Sequence, residues 1–330
     1  MKISELAELA GVSPSTVSKV INGRSGIAAE TRRRVEQVLN ENSYYKPLVS
    51  TKLSRTIELV LEHVDADCTL PLIDHASYWA QQAGYALTIT QIHSGEEVEH
   101  SFRGIIDRNP LGVVIHQITQ IPQAEKDLLE SRGIPFVILD PITPIDDQAM
   151  WVSVDRWTGG FQMAQYLISL GHRRIGIING PQNSQSTIAR YGGFLAAAHS
   201  AHIEPDPTLE RATDLTPQAS YQAACELLDL PERPSAIFAC NDQTALSVYR
   251  AAHERDLAIP TDLSVVGFDD IYPAEFMAPP LTTVNQPFNA EARKAIEMII
   301  DVRRERPVET HVVLPVTIVK RDSAAQAAAK

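Results

Sequence analysis

"ISELAELAGVSPSTVSKVING", residues Ile3–Gly23, carries two apolar stripes parted by one glycine. In the first half Ile3, Leu6, Ala7 and Ala10 share a helical face and Gly11 supplies the stop. In the second half Ser13 is placed to cap a helix and Pro14 sits in its first turn, where the missing N–H is no loss. Val17, Val20 and Ile21 form the next stripe, which ends at Asn22-Gly23. A third helical stretch, "AAETRRRVEQVLNENSY", turns Val35, Val38 and Leu39 inward and carries Arg32, Arg33 and Arg34 in its first turns. Two helices joined by a glycine turn, with Val12 plugging the angle between them, read as a helix-turn-helix. The second helix of that motif presents its N-terminal residues to the major groove. Here Ser15, Thr16 and Lys19 point away from the valine stripe, and hydroxyl and ammonium groups are donors suited to base edges and phosphates. Asn22, Arg24, Lys46 and the arginines of the third helix, Arg32 first, are placed to clamp the DNA backbone.

The charge distribution supports a division of labour. The chain has 330 residues and a formal net charge of -12, yet residues 1–55 hold nine Lys/Arg against five Asp/Glu. The remainder holds 20 against 36. Only the basic head is expected to meet a polyanion. A chain of this length that is 44% hydrophobic predicts two to three domains with a large core. It has no run of about 18 apolar residues that would span a membrane. Glu5 and Glu8 at the N-terminus are unlike a secretory signal, so a cytoplasmic location is expected. Cys68, Cys225 and Cys240 are widely spaced and read as buried free thiols.

From Ile57 onward, strands and helices alternate. "IELVLEHV", "YALTITQI", "GVVIHQI", "PFVILD", "MWVSVD", "RIGIING", "SAIFACN", "LSVVGFDD" and "THVVLPVTIVKR" are the strand candidates. Amphipathic stretches such as "EVEHSFRGIIDRN", "AEKDLLESRG", "FQMAQYLISLG", "ASYQAACELLDL" and "DQTALSVYRAAHERD" lie between most of them. This alternation predicts an α/β body with doubly wound parallel sheets. Nine strands are many for one sheet, so two lobes meeting near residues 150–160 are expected. The domain reading is a three-helix headpiece over residues 1–45, a hinge or linker over 46–56, an effector-binding and dimerisation body over 57–322, and a tail over 323–330. Within the body, residues 57–155 with part of the 280s are assigned to one lobe, and 156–280 with 287–322 to the other.

The stretch "LAELAGVSPSTVSKVING", followed by "ETRRRVEQVLNENSYYKP", closely resembles the headpiece of the lactose/galactose-repressor (LacI/GalR) family over about 45 residues. "LGHRRIGIINGP", "ARYGGF", "IPFVILD", "AIFACND", "ALSVYRAAHERDLAIPTDLSVVGFDD" and "PPLTTVNQP" are similar to the effector domain of that family. The resemblance implies a two-lobe body like that of periplasmic sugar-binding proteins. It also implies a hinge whose leucine wedges into the minor groove; Leu53 is the first candidate and Leu48 the second. Three departures stand out: Lys2 and Ala28 replace the usual caps of the first and third helices, and "KPLVSTKLSRT" lacks the usual hinge spacing.

For the body, the resemblance implies ligand contacts from Arg190 in "ARYGGF", Asn241 in "CNDQ" and Asp269 in "GFDD". Arginine donates to ligand oxygens, while carboxylates and amides at strand ends take paired hydroxyls. Glu62, Asp65 and Asp140 after first-lobe strands, and Ser186 one turn before Arg190, extend the set. Leu215 stands where the family places a stacking aromatic, so Phe268 or Trp157 is expected to substitute. Asp242 and Asp270 read as caps or turn formers, and "GGF" at Gly192–Phe194 as a site of close helix packing. The sequence contains no GxSxG, P-loop, GxGxxG or HExxH, so no catalytic residue, metal or cofactor is expected. The resulting expectation is a homodimeric repressor of carbohydrate-use genes. It would bind operator double-stranded DNA and be released by a mono- or oligosaccharide. Corepression by a non-sugar metabolite is the variant. A sugar-transport receptor and an α/β enzyme are the other classes weighed.

Overall fold

The computed structural model describes residues 3–21, 27–41, 54–62, 68–92, 97–116, 122–141 and 149–328. By internal contacts the chain separates into two units: residues 1–53 with 122–134, and residues 54–121 with 135–330. In the first unit the helices are α1 (Ile3–Leu9), α2 (Pro14–Ile21) and α3 (Ala29–Glu41). Leu6, Ala7, Ala10, Val17, Val20 and Val35 form their common core, with Val12, Val38 and Leu39 packed against it. These are the positions the apolar stripes mark, except Ile3, which remains exposed. Gly11 takes a φ of +61°, the left-handed C′ geometry that lets Gly11 N and Val12 N donate back to Glu8 O and Ala7 O.

The second unit contains β1 (Thr56–Leu61), α4 (Thr69–Gln82), β2 (Ala86–Gln91), α5 (Glu97–Arg108), β3 (Val113–His116), β4 (Phe136–Leu139) and β5 (Trp151–Val154). The helix α6 (Gln123–Ser131), between β3 and β4, belongs to the first unit. Then follow α7 (Arg156–Ser169), β6 (Ile175–Asn179), α8 (Gln185–Ser200), β7 (Glu210–Ala212), α9 (Pro217–Leu228), β8 (Ala236–Ala239), α10 (Asp242–His253), β9 (Ser264–Val266) and β10 (Thr283–Asn285). The last elements are α11 (Phe288–Arg303), β11 (His311–Leu314) and β12 (Thr317–Val319). One parallel sheet has the order β11-β5-β4-β3-β1-β2; a second has the order β7-β6-β8-β9. β10 and β12 form an antiparallel pair. The fold is the expected α/β body of two doubly wound lobes.

Two details depart from the sequence reading. First, "THVVLPVTIVKR" is two strands: β11 pairs with β5 in the first sheet, and β12 pairs with β10. Pro315 lies between them and has no N–H to offer a ladder, so the run breaks where the chain changes lobes. Second, α11 and β11 belong to the first lobe, whereas the sequence reading assigns residues 287–322 to the second. Ala292, Ala295, Ile296 and Ile299 pack with Leu59, Val114 and Val152 of the first sheet. The amphipathic pattern of α11 shows that one face is buried but not which sheet buries it. The chain thus passes between lobes three times: after β5, between β10 and α11, and between β11 and β12.

Candidate DNA-reading helix and effector site

At the start of α2, Ser13 Oγ accepts from Thr16 N at 3.2 Å, as expected of a cap. The same hydroxyl is 2.8 Å from Ser15 Oγ and 2.9 Å from Thr16 Oγ1, so the three side chains form one hydroxyl cluster at the helix N-terminus. Val17 and Val20 are buried, Ser15 and Lys19 are exposed, and Thr16 is half-buried. Arg32 is half-buried on α3. Asn22, Arg24, Lys46, Leu48 and Leu53 lie outside the described residues.

In the body, the site is built on a close approach of α7 and α8. A Cβ on Gly160 would stand 2.1 Å from Arg190 O, and one on Gly193 would stand 2.0 Å from Trp157 O. Glycines at both positions let the two backbones touch, which is the packing role expected of "GGF". Arg190 is thereby placed with its guanidinium over the Phe268 ring, 3.7 Å from the centroid. Its Nη2 donates to Asp269 Oδ1 at 2.7 Å and its Nη1 donates to Cys240 O, while Nε is buried without a hydrogen-bond partner. Phe268 is fully buried, with one face under Arg190 and an edge against Gly159, so it supports the arginine instead of offering a ring to a ligand. Trp157 does not fill the gap: its ring stacks on Phe161 at 5.4 Å, beside Gly192.

Asp269 and Asp140 stand at corresponding places, just after β9 and β4, both with left-handed backbones at φ 104° and 52°. Non-glycine residues at positive φ are uncommon, and aspartate tolerates them better than most. The turn after β9 is fixed from several sides. Asp242, buried, accepts from Thr283 Oγ1 at 2.5 Å and from Ile271 N at 3.0 Å. Asp270 pairs with Arg321 at 2.7 Å and accepts from Asn285 Nδ2 at 3.0 Å. Both are structural, as expected. Asn241 is also a cap: its Oδ1 accepts from Thr244 N at 2.9 Å, which leaves its Nδ2 as the donor to offer a ligand. Burial pushes the Asp269 carboxyl above the ordinary carboxylate range, against the attraction of Arg190 and Arg156.

The lobe crossings and the first-lobe strand ends supply groups that sequence reasoning missed. Arg156 Nη2 lies 2.6 Å from Asp140 Oδ1, and both residues are buried. Gln286 Nε2 donates to Asp140 Oδ2 and reaches the two Glu291 oxygens at 3.3 and 3.2 Å. His116, at the end of β3, is held neutral by burial, with its pKa lowered to about 4 and its Nε2 unpartnered. Arg156 Nε and Nη2 and Asp140 Oδ1 also lack a well-aligned hydrogen bond. The two lobes' groups share one electrostatic environment: Cys68, at the start of α4, is influenced by Asp140 and also by Asp269 and Arg190. Its thiol is pushed up to about 12 and that of Cys240 to about 11, mainly by burial, so neither is an activated nucleophile. Ser186 is half-buried in the first turn of α8, and Glu62 is half-buried after β1. Asp65 lies outside the described residues. One missed residue had a readable signal. Glu291 falls three residues after Phe288 and four before Ala295, a charge on the buried stripe of α11.

Known proteins share both halves. Residues 2–47 match the family model for bacterial regulatory proteins, lacI family, and residues 164–324 match that for a periplasmic binding protein-like domain. The HTH-type transcriptional repressor PurR of Proteus mirabilis (strain HI4320) is 30% identical over 329 residues, covering 98% of this chain and 96% of its own. Among solved structures, a transcriptional regulator CelR–cellobiose complex is 29% identical with a TM-score of 0.75, covering 98% of this chain and 99% of its own. A lac repressor dimer bound to operator and the anti-inducer ONPF is 26% identical with a TM-score of 0.72, with the same coverage. A helix-turn-helix headpiece on a periplasmic-binding-protein-like body defines a class of DNA-binding regulator, not an enzyme. The chain belongs to the lacI family of bacterial regulatory proteins and is a DNA-binding transcriptional repressor. No helix among the described residues is long and apolar enough to cross a membrane.

Proposed function

We propose that the protein is a cytoplasmic homodimeric repressor whose operator binding is controlled by a neutral polyhydroxylated effector, a mono- or oligosaccharide, held between the two lobes. The observation that carries this reading is two buried Arg–Asp pairs, Arg190 with Asp269 and Arg156 with Asp140, beside the buried and unpartnered His116 Nε2, Arg156 Nε and Arg190 Nε. Donors and acceptors alternate there, and each arginine is already balanced by a carboxylate. That arrangement suits hydroxyls, which both donate and accept, better than an anion. The covered faces of Phe268 and the stacked Trp157 favour a hydroxyl-rich ligand over a flat aromatic one. The cellobiose carried by the CelR structure supports the same class. Ligand binding would favour one interlobe angle, and so bias the dimer for or against two half-sites.

A thermal-shift screen of sugars and other metabolites tests the effector class, because a ligand that binds only the folded state raises the midpoint. A sugar is expected to shift the wild-type protein and to leave Asp269→Ala unshifted. A shift by non-sugar metabolites alone would favour corepression, and an equal sugar shift in Asp269→Ala would move the site elsewhere.

Lys19 stands exposed one turn from the Ser13–Ser15–Thr16 cluster and is assigned to groove or backbone contact. Lys19→Ala is expected to weaken binding to DNA selected from a random pool by about 1–3 kcal/mol if it reads a base. If it contacts a phosphate, the logarithmic salt slope should fall by about one. Unchanged affinity and salt slope in a filter-binding titration would remove this residue from the interface.

A further inference from the structure

The groups behind the first-lobe strand ends do more than line a ligand site. Asp140 and Glu291 are both fully buried, and the Gln286 amide nitrogen bridges their carboxyl groups, which brings the two acids side by side. The only cation against them among the described residues is Arg156, 2.6 Å from Asp140. His116 from β3 is neutral, Gln286 contributes an amide, and Asp269 of the other lobe acts at longer range on both Asp140 and Arg156. Two adjacent buried carboxylates facing one guanidinium cannot both ionise cheaply, because like charges at close range in a low dielectric repel strongly.

Position gives the cluster its meaning. Arg156 is the first residue of α7, directly after the chain first leaves the first lobe. Gln286 lies between β10 and α11, where the chain returns. Both reach the same acceptor, Asp140, and Gln286 also reaches Glu291.

We propose that Glu291 carries the single proton of this buried acid pair, and that the pair, gripped by Arg156 and Gln286, is the clamp that fastens two of the three lobe crossings to the first lobe. Glu291 is thus a positioning residue acting through Asp140. Burial first and the neighbouring Asp140 second push the Glu291 carboxyl well above the ordinary range, and the test below separates the two causes. As a consequence that rests on the effector reading above, a ligand hydroxyl donating to Asp140 would redistribute the clamp and so act on the crossings directly. The clamp itself does not depend on that reading, and its test needs no ligand.

Infrared difference spectra of the full chain at pH 7 provide the test. The wild type should show a carboxylic-acid carbonyl band that is lost in Glu291→Gln. It should also be lost in Asp140→Asn, where Glu291 loses its like-charged neighbour and ionises against Arg156. Asp242→Asn and Asp269→Asn control for the two other buried carboxyls that burial raises. Absence of the band difference between wild type and Glu291→Gln would overturn the proton on Glu291. A band that survives in Asp140→Asn would overturn the pairing, since Glu291 would then be protonated by burial alone. Should Asp140→Asn not fold, the thermal midpoint decides. In the wild type it should fall from pH 5 to pH 8 more steeply than in Glu291→Gln, because a carboxyl with a raised folded pKa contributes stability that is lost as pH rises. Equal slopes would sink the proposal.

Discussion

Gly160→Ala is expected to destabilise the body strongly, while Gly192→Ala, one turn away on the facing helix, is expected to leave it unchanged or slightly more stable. The added methyl at Gly160 would lie 2.1 Å from Arg190 O, 2.9 Å from its carbonyl carbon and 3.0 Å from its Cα. All three are backbone atoms of α8, so no side chain can swing aside, and the two helices must separate. Overpacking of a fixed interface costs typically about 1–3 kcal/mol and more where the backbone must move, which would lower the midpoint by about 2–4 °C per kcal/mol in a body of this size. The separation also carries Arg190 away from Asp269, so the effector response should fall with stability. At Gly192 the methyl would meet Trp157 Cδ1 at 3.5 Å and Nε1 at 3.6 Å, ordinary van der Waals distances. There the removal of glycine from a helix interior is worth about 0.5–1 kcal/mol in favour of alanine. Urea unfolding of the two variants beside the wild type measures the contrast. Coincident midpoints for Gly160→Ala and Gly192→Ala would mean the helices are not in backbone contact.

What the sequence discloses about this protein follows the reach of each signal. Apolar periodicity is local, so the headpiece core from Leu6 to Val35 and most strands and helices of the body are legible directly. The match of "ARYGGF" and "GFDD" to known motifs places Arg190 and Asp269 in one site, and they are in fact ion-paired at 2.7 Å. Three-residue strands such as β7 and β10 carry too few positions for a period to register. The lobe to which α11 belongs depends on a crossing at Gln286, which no periodicity encodes. Asn241 shows a different limit. A short polar residue at a strand end before a helix suits both a ligand and an N-cap, and only the geometry reveals that its carbonyl is already taken. Phe268 was read as a ring to stack on, but burial and a guanidinium over its face change its role. Glu291 is legible only as an anomaly, a charge where the pattern calls for an apolar residue; Arg156 at the start of α7 gives no such signal, and the fold explains each by the other.

That mutual dependence predicts the second large effect. Arg156→Met should cost about 3–5 kcal/mol, the range for removing one partner of a buried ion pair and leaving the other uncompensated. Methionine fills much of the volume, so the loss is electrostatic more than steric. Asp140→Asn in the same chain should recover part of it, because removing both charges of a buried pair is often close to neutral. A double-mutant cycle in urea measures this coupling. The pH dependence separates the clamp from simple packing. In Arg156→Met the Glu291 carboxyl, already raised by burial and by Asp140, loses the one cation that opposes the rise. A raised carboxyl leaves stability intact below its unfolded value of about 4.3 and removes it progressively as the pH climbs toward the folded value. Wild type and Arg156→Met should lose stability in parallel up to the wild-type folded value, and the deficit of Arg156→Met should grow only beyond it, where the variant's still higher carboxyl keeps losing stability. A deficit that stays constant across the whole titration would mean that Arg156 contributes packing alone, and that the carboxylates it faces do not depend on it for their charge.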